Sequence, residues 1–215
     1  MKAPAFAQDT WVRASWDSFL TLVENPVYER AKFYYHNGWM RVEMSPVGSS
    51  HARDSSLLAQ IVVVFALRHN LRVESYITPS LRKIGLAEFQ PDVAFYVNQS
   101  STPAPGTKPI DLATTALPAL VVEVSATTLD DDLSVKRELY TKVGVGEYWV
   151  VDVLAGKVRM FGRSGDVGEL SPLETSSVFI GLSAEILEEA LRLGHSEGDT
   201  AAVQYILNLA EDTSR

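Results

Sequence analysis

The pattern of hydrophobic and polar residues divides the first third of the chain into a helix, a hairpin and a second helix. Residues 15–24 begin with a serine that can cap a short helix. Residues 31–36 and 39–44 are rich in aromatic and β-branched residues and flank Asn37-Gly38, a pair that favours a β-hairpin turn. Residues 50–69 predict a long helix. Its core-facing stripe is formed by His51, Ser55, Leu58, Val62 and Phe65.

The rest of the chain alternates short apolar strands with one crossover helix. Residues 130–143 have helical periodicity and end at Gly144, a residue that suits a helix C-terminus. Residues 98–118 predict a long loop, and residues 183–211 predict two helices separated at residues 194–199. A helix between two strands implies a parallel pair, so the predicted class is α/β, with a mixed β-sheet flanked by α-helices. The strand-like segments are residues 71–76, 80–84, 93–97, 119–124, 147–153 and 157–161.

The composition is that of a globular protein with one substantial core. Of 215 residues, 46% are hydrophobic and 21% charged, and no shift in composition marks a boundary, so we expect one domain over residues 1–215. The absence of cysteine excludes disulfides and thiolate zinc sites. Residues 1–8 lack the apolar stretch of a secretory signal, and the longest apolar run is too short to span a bilayer. We therefore expect a cytoplasmic location and no membrane partner.

The net charge of −8 argues against a strong, sequence-independent DNA-binding protein, because such proteins need a basic surface. It does not exclude a nucleic-acid substrate, since a bound metal ion can offset the negative charge locally.

Three charged residues stand where a core would be apolar. Glu123 interrupts the apolar strand 119–124, and a buried carboxylate is costly unless it is paired or bound to metal. Lys136 occupies the sheet-facing stripe of the helix 130–143. Asp92 follows Pro91 at the start of a strand. Each has an ordinary alternative: an edge strand for Glu123, a lysine extending to water, and simple turn chemistry for Pro-Asp.

Together the three residues predict a phosphodiesterase site. Two carboxylates on adjacent strands can hold a hard cation such as Mg²⁺ or Mn²⁺. Such an ion polarises a scissile phosphate and lowers the pKa of a bound water. A nearby lysine can orient or deprotonate the attacking water, or offset charge on the phosphate.

These residues resemble the PD-(D/E)XK nuclease superfamily, in which Pro91-Asp92 matches the PD element and Glu123 the second acid. The superfamily lysine normally lies two residues after that acid, where this chain has Ser125. The Uma-type family of putative restriction endonucleases is a more specific match, because its lysine lies on the following helix, as Lys136 does. Further matching positions are Glu43-Met44-Ser45-Pro46, His51, 122–125, Asp132-Leu133, Tyr140, Gly144-Val145 and 147–152. The resemblance covers roughly residues 15–180; Trp39 departs from it, since many relatives carry an acid there.

The resemblance implies a restriction-endonuclease-like core and Mg²⁺- or Mn²⁺-dependent hydrolysis of DNA. It implies Asp92, Glu123 and the Val124 carbonyl as metal ligands, and Asp92, Glu123 and Lys136 as catalytic residues. It also implies supporting roles for Glu43, His51 and Ser125. Two of these residues have ordinary alternatives: His51 can be a hydrogen-bonded packing residue, and Glu43 can be a solvated strand residue.

Two other functions stay open from the sequence. One is a non-catalytic binding or assembly protein that kept the fold, and the other is a phosphoesterase acting on nucleotides or RNA. A homodimer is compatible with the nuclease and with the binding protein, and the strand around Trp149 and the C-terminal helices are its candidate interface.

Overall fold

The computed structural model describes residues 9–44, 47–99, 102–165 and 168–209. They fold into two compact units, each with its own six-stranded sheet. The first unit takes the described residues of Met1–Val47, Pro79–Gln90 and Pro103–Ala116, and the second those of Gly48–Thr78, Pro91–Thr102 and Leu117–Arg215. Both sheets mix parallel and antiparallel pairs, which confirms the α/β class. No helix among the described residues is long and apolar enough to cross a membrane.

The first unit contains the hairpin predicted from Asn37-Gly38. Its turn residues have φ angles of 50° and 75°, the left-handed conformation that a tight hairpin turn requires. The hairpin strands belong to the sheet of the first unit and not to the sheet that carries Glu123. The predicted loop 98–118 contributes one short strand to this first sheet. In sheet order the strands are β1 (Val12–Arg13), β3 (Trp39–Glu43), β2 (Lys32–His36), β6 (Ala87–Phe89), β5 (Leu81–Lys83) and β8 (Ile110–Asp111). Its helices are α1 (Trp16–Val23) and the 3₁₀-helix Pro26–Tyr28.

The second unit contains the strands that carry the candidate site. In sheet order they are β12 (Leu170–Leu173), β11 (Lys157–Arg163), β10 (Glu147–Asp152), β9 (Leu120–Ser125), β7 (Val93–Val97) and β4 (Val73–Ile77). The parallel pair is β9 with β10, as the crossover predicted. The crossover consists of α3 (Leu129–Asp131), a π-helical segment (Asp132–Lys136) and α4 (Arg137–Val143). It ends at Gly144, whose φ of 106° favours glycine.

The two faces of this second sheet differ in character. One face packs against three helices, α2 (Ser49–Arg68), α5 (Ala184–Glu197) and α6 (Asp199–Leu207), in an apolar core. Trp149 lies in that core with no exposed surface and donates its indole N–H to Glu147. The expectation that the strand around Trp149 supplies a dimer interface is therefore wrong. The other face is covered by the crossover helix and carries Glu123.

The break between the C-terminal helices is narrower than the predicted 194–199. Gly194 lies inside α5, and the chain turns at Gly198, whose φ is 99°. Gly194 is helical because α5 approaches α2 closely there: a Cβ at this position would overlap the Leu57 side chain. Arg53 also donates a hydrogen bond of 2.6 Å to the Gly194 carbonyl. Residues 210–211 of the predicted helical stretch lie outside the described residues.

We expect Gly194→Ala to lower the free energy of unfolding by about 1–3 kcal/mol, the usual cost of overpacking a core. Thermal unfolding followed by circular dichroism measures it. Because the clash is with Leu57, the cost of Gly194→Ala should shrink in a Leu57→Ala background. Strictly additive costs would show that the helix contact is not the reason for the glycine.

Candidate active site

Glu123 is buried in the middle of the second sheet. Strand β9 lies between β7 and β10, and Glu123 is 2% exposed, so the edge-strand alternative is wrong. Its two carboxylate oxygens have different partners. Oε1 accepts a hydrogen bond of 2.5 Å from the Tyr140 hydroxyl, and Oε2 accepts one of 3.3 Å from the Lys136 ammonium. The burial predicted from the sequence is thus observed, and the carboxylate is compensated by side chains of the crossover helix.

Lys136 lies on the sheet-facing side of that helix, together with Leu139, Tyr140 and Val143. Its side chain is only 3% exposed, which excludes a lysine that extends to water. Besides its contact with Glu123, the ammonium forms an ion pair of 2.9 Å with Asp132 Oδ1. Lys136 is therefore shared by two buried carboxylates.

Asp92 immediately precedes β7, which pairs antiparallel with β9 through Val93 and Val122. One residue further in that register, Asp92 stands opposite Glu123, and opposed residues of an antiparallel pair point to the same face. Asp92 is 2% exposed. Its Oδ2 accepts hydrogen bonds from the Val124 amide at 2.8 Å and from His51 Nε2 at 2.9 Å. The side chain thus joins two elements of the second unit, which is more than local turn chemistry.

The supporting residues fall in two places. His51, in the first turn of α2, fixes Asp92 through the bond just described and is 17% exposed in its side chain. Ser125, at the position of the usual lysine, is buried, with its hydroxyl 3.5 Å from that of Thr128. Glu43 lies in the first unit, where it pairs with Arg41 at 2.9 Å. The second unit therefore brings together Asp92, Glu123, Val124, Lys136, His51 and Ser125, but not Glu43.

Two residues near Glu123 had no predicted chemical role. Asp132 follows Asp130 and Asp131 at a helix start, where acidic residues are commonly favourable simply for their charge. The structure shows more than this, because Asp132 is 1% exposed and pairs with Lys136. Tyr148 donates a hydrogen bond of 2.9 Å to the Asp132 carbonyl. A sequence signal for Asp132 does exist: Asp132, Lys136 and Tyr140 are spaced by four residues and share one helix face.

The charged groups of this region act on the Tyr148 hydroxyl. Burial raises the pKa of Tyr148 well above its ordinary value, and the charges of Glu123 and Asp132 raise it further. Lys136 lowers the pKa of the same hydroxyl, and Asp92 raises it. Tyr148 is therefore a hydrogen-bond donor at any physiological pH. Three buried carboxylates, those of Asp92, Glu123 and Asp132, stand against the one ammonium of Lys136, with His51 beside them.

This donor set fits a hard divalent cation held by few protein ligands. Over the described parts of the chain, no group of three or more His, Asp or Glu side chains is arranged to hold an ion. Magnesium is commonly bound through one or two carboxylates together with waters and substrate phosphates, so Asp92 and Glu123 suffice as its protein carboxylates. An added divalent charge would also balance the excess of buried carboxylates. The residues present therefore fit the ion that the sequence implied.

Comparison with known proteins adds a family and a structural relative. The family model described as Uma2, putative restriction endonuclease, matches residues 16–194. No curated protein matches the chain. The crystal structure of a putative nuclease belonging to DUF820 from Anabaena variabilis ATCC 29413 is similar, with a TM-score of 0.54 and 18% identity. The match covers 81% of this chain and 97% of that one, and at this identity it shows a shared fold.

Proposed function

The chain belongs to the Uma2 family of putative restriction endonucleases, and from this premise we propose that it is a metal-dependent endonuclease that hydrolyses DNA phosphodiester bonds. The observation that carries the proposal is the contact between Lys136 and Glu123, both buried. A lysine beside a buried acid is the chemistry of the superfamily, here supplied from a helix because Ser125 occupies the usual lysine position.

Each residue has a role that follows from its contacts. Asp92 and Glu123, with the Val124 carbonyl, would hold Mg²⁺ or Mn²⁺. When bound, the ion would polarise the scissile phosphate and lower the pKa of a coordinated water. The Lys136 ammonium orients the attacking water or offsets the charge on the phosphate. His51 keeps the Asp92 carboxylate oriented through its hydrogen bond, as outer residues commonly do for metal ligands.

The distribution of charge removes much of the objection to DNA as the substrate. Residues 1–165 carry 17 acidic and 17 basic side chains, whereas residues 166–215 carry ten acidic and two basic ones. The net charge of −8 thus comes entirely from the C-terminal part of the chain. Within it, α5 and α6 pack on the apolar face of the second sheet, opposite the face that carries Glu123. The acidic residues of α5 and α6 therefore belong to helices on the opposite side of the sheet from Glu123.

The proposal extends to the setting of the enzyme. DNA is the substrate, the enzyme works in the cytoplasm, and it acts as a homodimer, the arrangement that suits cleavage of both strands. With Trp149 excluded, the candidate dimer surface reduces to the C-terminal helices. Sedimentation at several concentrations tests the dimer.

We expect Asp92→Asn and Glu123→Gln each to abolish Mg²⁺- or Mn²⁺-dependent nicking of supercoiled plasmid, because each removes a charged ligand while keeping the side-chain shape. Glu138→Gln is the matched control, since Glu138 is exposed on the crossover helix. The rate should fall by at least about 10²-fold in the first two variants and remain unchanged in the control. Cleavage that persists in both variants would discard the site.

One observation favours a non-catalytic alternative, a binding or assembly protein that kept the fold. Tyr140 and Lys136 contact the two carboxylate oxygens of Glu123, and these contacts suit a buried carboxylate with a structural role. This alternative predicts no cleavage of any nucleic acid and full tolerance of Glu123→Gln. A parallel screen of plasmid, single-stranded DNA, RNA and nucleotides separates it from the endonuclease and from an RNA- or nucleotide-directed phosphoesterase.

A further inference from the structure

The Lys136 ammonium lies between two buried carboxylates, of which only Glu123 has a role in the proposed reaction. The ammonium is 3.3 Å from Glu123 Oε2 and 2.9 Å from Asp132 Oδ1. The side chains of Glu123 and Asp132 are 2% and 1% exposed. The closer partner is thus Asp132, four residues earlier on the same helical stretch.

Asp132 is anchored by contacts that do not involve the lysine. Its Oδ2 accepts a hydrogen bond of 2.7 Å from the Thr128 hydroxyl. Its amide donates to the Thr128 carbonyl at 2.9 Å, and its carbonyl accepts from the Tyr148 hydroxyl at 2.9 Å. It also opens the π-helical segment, a local widening of the helix that is frequent at functional sites. The carboxylate is therefore a fixed acceptor.

A metal ion at Glu123 creates a problem that this arrangement solves. The ion and the ammonium are both positive and compete for the same carboxylate, and at short range in a buried site they repel each other strongly. An ammonium that loses its carboxylate while buried is costly. A second, fixed carboxylate within reach allows Lys136 to keep a partner while Glu123 turns to the ion.

We propose that Asp132 is a positioning residue that holds the Lys136 ammonium while Glu123 binds the divalent ion. This inference rests on the proposed function, because it assumes that Glu123 is a metal ligand. It adds Asp132 to the site as a third buried acid, after Asp92 and Glu123, and this acid acts on the ion through the lysine. In Asp132→Asn the ammonium is left to Glu123, and the ion must displace it to bind.

The test is a double-mutant cycle on Mn²⁺ affinity, measured by calorimetric titration of the full chain. We expect Asp132→Asn to weaken Mn²⁺ binding by about 10–100-fold, the usual effect of losing an outer residue at a metal site. Asp130→Asn makes the same charge change at an exposed position two residues away and should weaken binding less than about 2-fold, because exposed charges are screened.

The Lys136→Met background separates an effect through the lysine from a simple effect of charge. If Asp132 acts through Lys136, then Asp132→Asn in Lys136→Met should cost no more than Asp130→Asn does. The inference is overturned if Asp132→Asn weakens Mn²⁺ binding equally in the wild-type and Lys136→Met backgrounds. It is also overturned if, in the wild-type background, Asp132→Asn weakens Mn²⁺ binding no more than Asp130→Asn does. Thr128→Val is a second variant: it loosens Asp132 but keeps its charge, and it should weaken Mn²⁺ binding in the same direction. Unchanged binding in Thr128→Val would count against a positioning role.

Plasmid cleavage by the same samples distinguishes the inference from the proposed function. If the wild type shows metal-dependent cleavage but the double-mutant cycle shows no coupling between Asp132 and Lys136, only the role of Asp132 is overturned. If the wild type binds no Mn²⁺, or if Glu123→Gln binds Mn²⁺ as tightly as the wild type does, both the role of Asp132 and the proposed function are overturned.

Discussion

Lys136→Met should eliminate plasmid cleavage and also destabilise the protein strongly. Removing the ammonium leaves Glu123 and Asp132 buried without their shared cation, and breaking a buried ion pair by removing one partner costs about 3–5 kcal/mol. Loss of the group that orients the attacking water should lower the rate by about 10²–10⁴-fold. Thermal unfolding and single-turnover cleavage measure the two effects.

Lys142→Met is the matched control for this variant. Lys142 is exposed on α4, so its removal should change both stability and rate little. Lys136→Arg separates folding from chemistry, because it retains a cation for both carboxylates but not the shape of the ammonium. It should unfold near the wild-type temperature yet cleave slowly. Equal behaviour of Lys136→Met and Lys142→Met would show that Lys136 has neither role.

Glu147→Gln should lower the free energy of unfolding by about 3 kcal/mol, since hydrogen bonds to a charged group contribute about 1.5–3 kcal/mol each. Glu147 is fully buried at the start of β10. Oε1 accepts from Trp149 Nε1 at 2.6 Å, and Oε2 accepts from the Ser177 amide and hydroxyl at 2.8 and 2.6 Å. Oε2 also accepts from the Val178 amide at 3.1 Å. A glutamine would turn its NH₂ group toward these donors, leaving some of them unsatisfied.

Thermal unfolding measures this loss, at about 2–4 °C for each kcal/mol in a chain of this size. Glu174→Gln is the control, because Glu174 is exposed in the segment that leads to Ser177. Since Glu147 has no place in the proposed chemistry, Glu147→Gln should cleave DNA normally at temperatures where it is folded. A variant that is as stable as the wild type would mean that Glu147 does not hold β10 to this segment.

Local patterns predicted most elements of the second unit, although not β12. The parallel pair of β9 and β10 followed from a periodic helix between two apolar strands, a feature contained within a short stretch of chain. The separation into two sheets did not follow, because it depends on pairings between distant strands, such as β2 with β6, that hydrophobic periodicity does not specify. Gly194 illustrates the same limit: glycine suggests a break, and only packing against Leu57 shows why it lies inside a helix.

The site was predictable where a charge interrupts an apolar pattern. Glu123 and Lys136 stand out in this way, and both are buried as expected. Asp132 did not stand out, because two neighbouring aspartates make it look like ordinary charge at a helix start. Its burial depends on how the crossover helix lies on the sheet, which the sequence alone does not determine.

Asp92 and Glu123 are proposed to hold one divalent ion. The most direct measurement is the anomalous difference map from crystals of the wild type grown with Mn²⁺. We expect a single peak between the two carboxylates, about 2.1 Å from an oxygen of each, with Lys136 remaining on Asp132. A map without that peak, in which Glu123 still bonds Tyr140 and Lys136, would contradict the proposed metal site.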